Sequence, residues 1–326
     1  MMLVVTGANG FIGSALVWDL TSQGYNDILC VDHISPELTS RPLHYLNFSR
    51  FCYANDFFDT VKTENIEIEA VFHMGACSST TETNEQYLQQ NNTEYTRKIW
   101  DLCKELNCPL IYASSAAIYG DGKEGFSDRE PTQKYKPLNL YGWSKHHFDT
   151  WAEAQSSSPP SWHGFRFFNV YGPNEYHKES MASVVYKAFL QIQQTGSLQL
   201  FRSHHPNFED GKQQRDFVYV KDVTTWMIEV YKSKRVNNGI YNMGFGACRT
   251  WLDLATSVFK VMGRPLEIEW IDIPENIRNQ YQYHTEADMI KFNEQGLTPP
   301  KWNLESGIKD YIENYLLSDQ PQLRNE

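Results

Sequence analysis

The chain contains no long run of apolar residues. Its N-terminal apolar stretch, residues 1–5, passes directly into Thr6 and Gly7, which makes it too short for the core of a signal peptide. No later stretch approaches the roughly 20 apolar residues that a membrane-spanning helix requires. We therefore expect a protein that acts in the cytoplasm and has no membrane partner.

Clusters of basic residues are also missing. The 29 Lys and Arg residues are outnumbered by 40 Asp and Glu residues, which gives a formal net charge of −11. Nucleic acid is therefore not an expected partner. A substrate that carries phosphates would have to be met by a local cationic pocket in an otherwise acidic surface. With 326 residues, 41% of them hydrophobic, the chain can build one large domain or two interlocked ones.

Cysteine is sparse, and its spacing indicates neither a metal site nor a disulfide framework. The six cysteines are scattered at positions 30, 52, 77, 103, 108 and 248, which is typical of reduced thiols in a cytoplasmic protein. The histidine pairs His146-His147 and His204-His205 are adjacent in sequence, so that the two rings of each pair point in different directions. No metal site is predicted.

A glycine-rich turn near the N-terminus is the first positive signal. Residues 3–6 form a short apolar run typical of a buried parallel strand, and residues 14–22 read as a helix. Between them lie Gly7, Gly10 and Gly13. In the order strand, glycine turn and helix, these glycines predict a tight turn, close approach of the backbone to a pyrophosphate, and an anion at the helix N-terminus.

The second predicted strand, residues 27–32, ends in an acidic residue. Asp32 follows Gly13 by 19 residues, about the distance at which an acid meets a ribose hydroxyl of a dinucleotide. An Asp at this position favours NAD, because it would repel a 2′-phosphate. Arg41, a few residues further on, could instead bind the 2′-phosphate of NADP. These two residues are compatible with either NAD or NADP.

Strands continue to alternate with helices through about residue 168. Residues 70–76 and 110–115 read as further buried strands, and residues 84–106 as one long helix. This alternation predicts an α/β fold with a doubly wound parallel sheet, in which ligands bind at the carboxyl ends of the strands. Ser115 falls at such an end.

The chain is expected to divide near residue 168. A dinucleotide-binding domain should span residues 1–168, with a returning segment near 216–244, and a smaller mixed α/β substrate-binding domain should span residues 169–326. The tail after Ser318 is polar and is expected to fray.

Tyr141 and Lys145 are four residues apart, so that on a helix they lie on one face with a rise of about 6 Å. A phenol beside an ammonium can act as an acid/base that transfers protons. Lowering the pKa of a tyrosine from about 10 to about 7 requires roughly 4 kcal/mol. One cation about 4 Å away supplies about that much at an effective dielectric constant near 20.

These motifs together resemble the nucleotide-sugar epimerases, a group of the extended short-chain dehydrogenases/reductases. The likeness covers nearly the whole chain and lies in Gly7-x-x-Gly10-x-x-Gly13, residues 115–120, Tyr141-x-x-x-Lys145 and Arg166-x-x-Asn169-Val170-Tyr171-Gly172-Pro173. Within that group, four segments are similar to the ADP-L-glycero-D-manno-heptose 6-epimerases, namely residues 73–82, 112–117, 177–183 and 215–220.

The resemblance implies a catalytic set. In this family the C6 hydroxyl of an ADP-linked heptose is oxidised to a ketone, the keto sugar turns, and the hydride returns to its other face. Tyr141 matches one acid/base and Lys178 the second. Lys145 matches the residue that holds the ribose and lowers the pKa of the tyrosine, and Ser115 the residue that bonds the reacting oxygen.

The resemblance also implies binding residues and a homo-oligomeric assembly. The family generally prefers NADP, which makes Arg41 the expected phosphate contact, with NAD as the alternative. The implied cofactor contacts are Gly7, Gly10, Phe11, Ile12, Gly13, Asp32, His33, Arg41, Met74, Gly75, Ala76, Cys77, Ser78, Asn91, Asn92, Lys145, Val170 and Lys178. The implied substrate contacts are Ser79, Asn169, Ser180, Lys187, Phe201, Arg215 and Tyr281.

Other functions on the same fold are less well supported by the sequence. A 4,6-dehydratase typically has an Asp-Glu pair just after the serine, where this chain has Ala116-Ala117. A UDP-sugar 4-epimerase has no counterpart of the segment around Lys178 and ranks second. A non-catalytic dinucleotide-binding regulator commonly loses the tyrosine or the lysine, and both are present here.

Overall fold

The computed structural model describes residues 1–233, 235–278 and 281–325. The strands within these ranges are β1 (Met2–Thr6), β2 (Ile28–Asp32), β3 (Arg50–Tyr53), β4 (Ile68–His73), β5 (Leu110–Ser115), β6 (Trp162–Phe167), β7 (Asn169–Tyr171), β8 (Leu198–Phe201), β9 (Gln214–Arg215), β10 (Phe217–Tyr219), β11 (Gly239–Met243), β12 (Arg249–Thr250) and β13 (Ile268–Ile271).

The α-helices connect most of these strands. They are α1 (Phe11–Ser22), α2 (Phe57–Thr63), α3 (Glu85–Leu88), α4 (Tyr95–Glu105), α5 (Leu140–Glu153), α6 (Val184–Thr195), α7 (Val220–Lys232), α8 (Trp251–Val261), α9 (Glu275–Arg278), α10 (Ile290–Glu294) and α11 (Leu304–Tyr311). None of the helices in the described ranges has both the length and the hydrophobicity needed to cross a bilayer.

A parallel sheet of seven strands forms the centre of the molecule. Its strand order is β11-β6-β5-β4-β1-β2-β3, and all six neighbouring pairs are parallel. The direction of winding reverses between β1 and β4, which is where a doubly wound sheet opens a crevice for ligands. The predicted fold class is confirmed.

Helices cover both faces of this sheet because its central strands are apolar on both sides. Along β1, Leu3 and Val5 pack into a core cluster with α1 and α7. Val4 points to the opposite face and packs into a cluster with α4 and α5. The alternation of side chains along a strand thus gives each helix layer its own apolar surface.

The second half of the chain adds three two-stranded sheets and a core cluster of their own. The pairs are β10 with β7, β12 with β9, and β13 with β8. Residues from α6, α8 and α11 close this cluster, among them Val185, Leu254 and Ile308. Strand β11 instead returns to the central sheet and pairs with β6 in parallel.

Three sequence-based expectations for local structure differ from what is observed. The helical stretch expected over residues 84–106 contains a π-helical segment, Gln89–Glu94, between α3 and α4. Within the described part of the returning segment expected near 216–244, only β11 joins the central sheet, and residues Val220–Lys232 form helix α7. The expectation that the tail frays is wrong, because Leu323 is buried at 1% exposure in a cluster with Phe11 and Val220.

Candidate active site

The glycine turn between β1 and α1 packs tightly against the loop after β4. Gly7 has a φ of +62°, and a Cβ on it would lie 2.6 Å from Cα of Gly75. A Cβ on Gly13 would lie 2.1 Å from the carbonyl oxygen of Gly7. Only glycine fits at these two positions, and the start of α1 packs closely on β1 as the glycine pattern predicts.

A cavity of about 720 Å³ opens at the carboxyl ends of the central strands, above this turn. Most of the predicted site residues line it. From the predicted cofactor and catalytic sets these are Gly7, Gly10, Phe11, Ile12, Gly13, Asp32, His33, Arg41, Met74, Gly75, Ala76, Cys77, Ser78, Asn91, Ser115, Tyr141, Lys145, Val170 and Lys178, and from the substrate set Ser79 and Asn169.

Helix α5 carries Tyr141 and Lys145 on one face, one turn apart. The helix begins after Asn139, whose side-chain oxygen accepts a hydrogen bond from the backbone N–H of Gly142 at 2.8 Å. Near its other end, the buried carboxylate of Asp149 accepts hydrogen bonds from Ser114 at 2.8 Å and from Arg166 at 3.2 Å. These contacts fix α5 against β5 and β6.

The electrostatics of Tyr141 differ from the expectation. Burial raises the pKa of Tyr141 above its usual value, and a hydrogen bond with Ser115 lowers it in part. The ammonium of Lys145 donates a hydrogen bond to the carbonyl oxygen of Ala113 at 2.9 Å. In this arrangement the expected lowering of the tyrosine pKa by Lys145 is therefore not realised. Burial lowers the pKa of Lys145 itself to about 8.

Lys178 reaches the cavity from a different part of the chain. It lies in a 3-10 segment, Tyr176–Met181, in which Glu179 has a φ of +49°. Burial lowers the pKa of Lys178, while the charge of Glu175 opposes this shift. A lysine needs such desolvation to act as a base near neutral pH.

Glu175 holds the base of the loop that carries Lys178. Its carboxylate is buried and accepts hydrogen bonds from the hydroxyl of Ser183 at 2.7 Å and from the backbone N–H of Gly172 at 3.2 Å. Both anchor points lie outside the 3-10 segment. The loop is therefore fixed at its two ends, whereas Lys178 between them faces the cavity.

The end of the cavity near β2 combines one acid with basic groups. Asp32 accepts hydrogen bonds from the backbone N–H groups of Asn9 at 2.9 Å and Ile34 at 3.1 Å. Arg41 lines the same cavity, as does His177. Burial, followed by the charges of Arg41 and Lys178, lowers the pKa of His177 to about 4.

Asn92 lies behind the cavity wall, unlike its neighbour Asn91. Its side chain is buried, accepts a hydrogen bond from the backbone N–H of Cys77 at 2.8 Å, and donates to Ser144 at 2.9 Å. Asn92 thus ties the loop after β4 to helix α5. This is a positioning role and not the direct cofactor contact that the resemblance implied.

The remaining predicted substrate residues lie beside the cavity in two groups. The guanidinium of Arg215 stacks between Trp251, at 5.5 Å, and Tyr281, at 5.3 Å. Phe201 meets the ring of Tyr281 edge to face. Exposed Lys187 donates a hydrogen bond to the carbonyl oxygen of Ser180 at 2.6 Å.

Sequence reasoning missed several cavity residues. Trp251 both lines the cavity and stacks on Arg215, and no local pattern singles it out. Asn9 stands between two of the turn glycines, and its side-chain oxygen accepts a hydrogen bond from the backbone N–H of Leu43 at 3.0 Å. Its place inside the glycine motif was the available signal.

Comparisons with known proteins agree on one family. The model of the NAD dependent epimerase/dehydratase family matches residues 3–244 of the chain. A relative from Nitratidesulfovibrio vulgaris (strain Hildenborough), named ADP-L-glycero-D-manno-heptose-6-epimerase, is 45% identical over 327 residues, which covers 99% of this chain and all of the relative.

Solved structures of the same family are similar in fold. The crystal structure of Helicobacter pylori ADP-L-glycero-D-manno-heptose-6-epimerase has a TM-score of 0.79 at 26% identity, covering 96% of this chain and 95% of that one. A Thermus thermophilus UDP-glucose 4-epimerase in complex with NAD has a TM-score of 0.76 at 25% identity, with coverages of 95% and 97%.

Proposed function

Because this chain belongs to the NAD dependent epimerase/dehydratase family and, within it, to the ADP-L-glycero-D-manno-heptose-6-epimerases, we propose that it inverts C6 of the heptose in ADP-D-glycero-D-manno-heptose. The product is ADP-L-glycero-D-manno-heptose. One observation supports this most directly: two groups able to exchange protons, Tyr141 and Lys178, come from separate elements and line one cavity above the glycine turn.

The reaction needs a hydride acceptor that later becomes the donor, which a nicotinamide dinucleotide supplies when bound. Gly10, Phe11 and Gly13 line the cavity at the start of α1, so the residues fit a cofactor whose pyrophosphate lies at a helix N-terminus. We propose NADP as the preferred form, with Arg41 meeting the 2′-phosphate. Asp32, whose carboxylate already accepts two backbone hydrogen bonds, would meet a ribose hydroxyl of NAD.

In the first half of the reaction, one acid/base takes the proton of the C6 hydroxyl while hydride leaves the carbon. In the second half, the other returns a proton to the oxygen after the keto sugar has turned. Tyr141 and Lys178 divide these roles because they approach from different elements. Ser115 bonds the reacting oxygen, and Lys145 would hold a ribose of the bound dinucleotide. Such acid/base assistance is worth about 10²–10⁴-fold in rate.

The nucleotide part of the substrate is proposed to lie toward Arg215. Its planar guanidinium suits a diphosphate, and it is already held between two aromatic rings. The other proposed substrate contacts surround this region and the sugar: Ser79, Asn169, Ser180, Lys187, Phe201 and Tyr281.

The proposal also covers the domain division, the cellular location, the oligomeric state and the use of the product. The division into residues 1–168, with a returning segment near 216–244, and residues 169–326 would put the cofactor in the first unit and the sugar between the two. A cytoplasmic location and a homo-oligomeric state are proposed from the resemblance. The product would supply a precursor for the inner core of bacterial lipopolysaccharide.

The test is incubation of the purified protein with ADP-D-glycero-D-manno-heptose while the C6 configuration is followed by NMR. We expect inversion without net consumption of dinucleotide. UDP-galactose serves as the control substrate, and epimerisation of this sugar at C4 with no change in the heptose would favour the alternative UDP-sugar 4-epimerase. Absence of turnover on both sugars, with dinucleotide bound, would favour a non-catalytic regulator.

Identification of the dinucleotide released on denaturation tests the cofactor proposal. NADP is expected from the wild type. Arg41→Ala should shift the bound fraction toward NAD, while a substitution of exposed Arg235 leaves it unchanged. Release of NAD alone from the wild type would contradict the assignment of Arg41.

A further inference from the structure

A cluster of three metal-binding side chains lies outside the cavity described above. One donor atom from each of Cys248, His284 and Glu286 can be chosen so that all three lie within 4.8 Å of one another. All three residues are half-buried. His284 and Glu286 are two residues apart, but Cys248 precedes His284 by 36 residues. No paired metal-type spacing joins the three, which is why the sequence predicted no metal site.

Backbone hydrogen bonds bring the three residues together around strand β9. Gln214 donates from its N–H to the carbonyl oxygen of Tyr283 at 2.8 Å and accepts at its own carbonyl oxygen from Thr285 at 3.2 Å. On its other side, β9 pairs with β12, which begins directly after Cys248. The segments that carry the three donors are therefore fixed on either side of one strand.

The surroundings of the donors resemble the outer shell of a metal site. Nδ1 of His284 lies 3.0 Å from the side-chain oxygen of Gln214, and a proton donated there leaves the lone pair on Nε2. One oxygen of Glu286 accepts a hydrogen bond from the backbone N–H of Cys248 at 3.0 Å. Metal-bound histidines and carboxylates are commonly oriented by such contacts.

We propose that Cys248, His284 and Glu286 form a binding site for Zn²⁺. A thiolate, an imidazole nitrogen and a carboxylate, with water as the fourth ligand, make the tetrahedral set that Zn²⁺ favours. Bond lengths of about 2.0–2.3 Å put such ligand atoms about 3.5 Å apart, so that small side-chain rotations close the present separation. On binding, the thiol proton of Cys248 is released to solvent.

A nucleophilic role for Cys248 is the competing explanation of a thiol beside a histidine and a carboxylate. The charge and hydrogen bond of Glu286 add to burial in raising the pKa of Cys248 to about 12. A reactive thiolate requires the opposite shift. The raised pKa therefore argues against a nucleophilic thiolate at Cys248. The proposal of a metal rests on the placement of the three donor atoms.

The site lies next to the proposed nucleotide-binding wall but does not depend on the proposed function. Arg215 follows Gln214 directly and pairs across to Arg249, the neighbour of Cys248. A bound ion would cross-link the two segments that flank Arg215. We therefore expect Zn²⁺ to slow hydrogen exchange in residues 282–287 and to raise the Tm.

The test uses the full chain, freed of any affinity tag and dialysed against a chelator, and titrates it with Co²⁺ as a spectroscopic substitute. One equivalent per chain should give visible bands of a four-coordinate ion and a thiolate-to-cobalt charge-transfer band, and Zn²⁺ should displace both. Cys248→Ser should abolish the charge-transfer band, and His284→Gln should abolish tight binding. Gln214→Ala should weaken binding by about 10–100-fold.

Cys77→Ser is the matched control, because Cys77 is the other half-buried cysteine, and it should leave the Co²⁺ spectrum unchanged. If Cys248→Ser does not fold, His284→Gln alone decides. Failure of the wild type to bind Co²⁺ or Zn²⁺, or binding that survives both substitutions, would overturn the proposal.

Discussion

The ammonium of Lys178 lies 5.5 Å from the centre of the Phe11 ring. Phe11 is the first residue of α1, the helix that follows the glycine turn, and Lys178 lies in a loop more than 160 residues away in the chain. A cation over an aromatic face is attracted by about 0.5–2 kcal/mol. The proposed second acid/base is therefore oriented by the same helix that is proposed to meet the pyrophosphate.

Replacement of Lys178 by alanine tests its role as an acid/base. We expect Lys178→Ala to fold and to retain dinucleotide, because the loop stays anchored by Glu175. The rate of heptose epimerisation should fall by about 10²–10⁴-fold. Turnover is measured by NMR, and retained dinucleotide by release on denaturation. Exposed Lys212 gives the matched control Lys212→Ala, which should be active. Normal turnover in Lys178→Ala would remove Lys178 from catalysis.

Alanine substitutions in the glycine turn should reduce stability and dinucleotide binding to different extents. Gly13→Ala would put a Cβ 2.1 Å from the carbonyl oxygen of Gly7, whereas Gly10→Ala would put one at 3.1 Å from the same atom. We expect Gly13→Ala to displace the turn and to lose bound dinucleotide. The free energy of unfolding should fall by about 1–3 kcal/mol. Gly10→Ala should show a smaller loss in both measurements. Equal effects of the two substitutions would contradict the close packing of α1 on the turn.

Local patterns were sufficient to predict the parts of the site that follow directly from strand ends. Gly7 directly follows β1, Ser115 ends β5, and Tyr141 lies at the start of α5. The carboxyl ends of parallel strands lie at one edge of the sheet, which brings these positions together. No pattern in the nearby sequence predicts the stacking of Arg215 on Trp251 or the hydrogen bond from Lys145 to Ala113. Both depend on tertiary contacts between segments that no periodicity relates.

A buried histidine makes stability depend on pH. His73 hydrogen-bonds Thr6 at 2.6 Å and Thr96 at 2.9 Å, and burial lowers its pKa from 6.5 to about 3. Below pH 6.5 the unfolded chain binds a proton at this residue that the folded chain does not. Its contribution to stability is therefore complete above the unfolded pKa and is lost as the pH falls toward 3.

Between pH 7 and pH 5 this one group should lower the free energy of unfolding by about 2 kcal/mol. His73→Gln should be less stable at pH 7, because two buried hydrogen bonds are disturbed, but should lose about 2 kcal/mol less than the wild type between the two pH values. Urea unfolding at each pH measures this difference. His147→Gln, at an exposed position of α5, is the control and should keep the wild-type stability at pH 7. An unchanged dependence in His73→Gln would contradict the assignment.

The C-terminal tail connects the proposed cofactor helix to the loop of Lys178. The backbone N–H of Leu323 donates to the side chain of Asn174 at 2.8 Å, and Asn174 in turn donates to Ser14 of α1 at 3.1 Å. The hydroxyl of Tyr176 donates to the carbonyl oxygen of Pro321 at 2.6 Å. Polar residues surround Leu323 in sequence, so its burial could not be predicted from a local apolar pattern.

Leu323→Ala removes the apolar contact that holds this tail against Phe11. Truncation of a buried leucine costs about 2–5 kcal/mol, and we expect urea unfolding to show a loss in this range. Because Phe11 lines the cavity beneath Lys178, dinucleotide retention should fall as well. Leu317→Ala, at a residue that is 58% exposed, is the matched control and should change neither quantity. A stable Leu323→Ala variant that keeps its dinucleotide would show that the tail covers α1 without supporting the site.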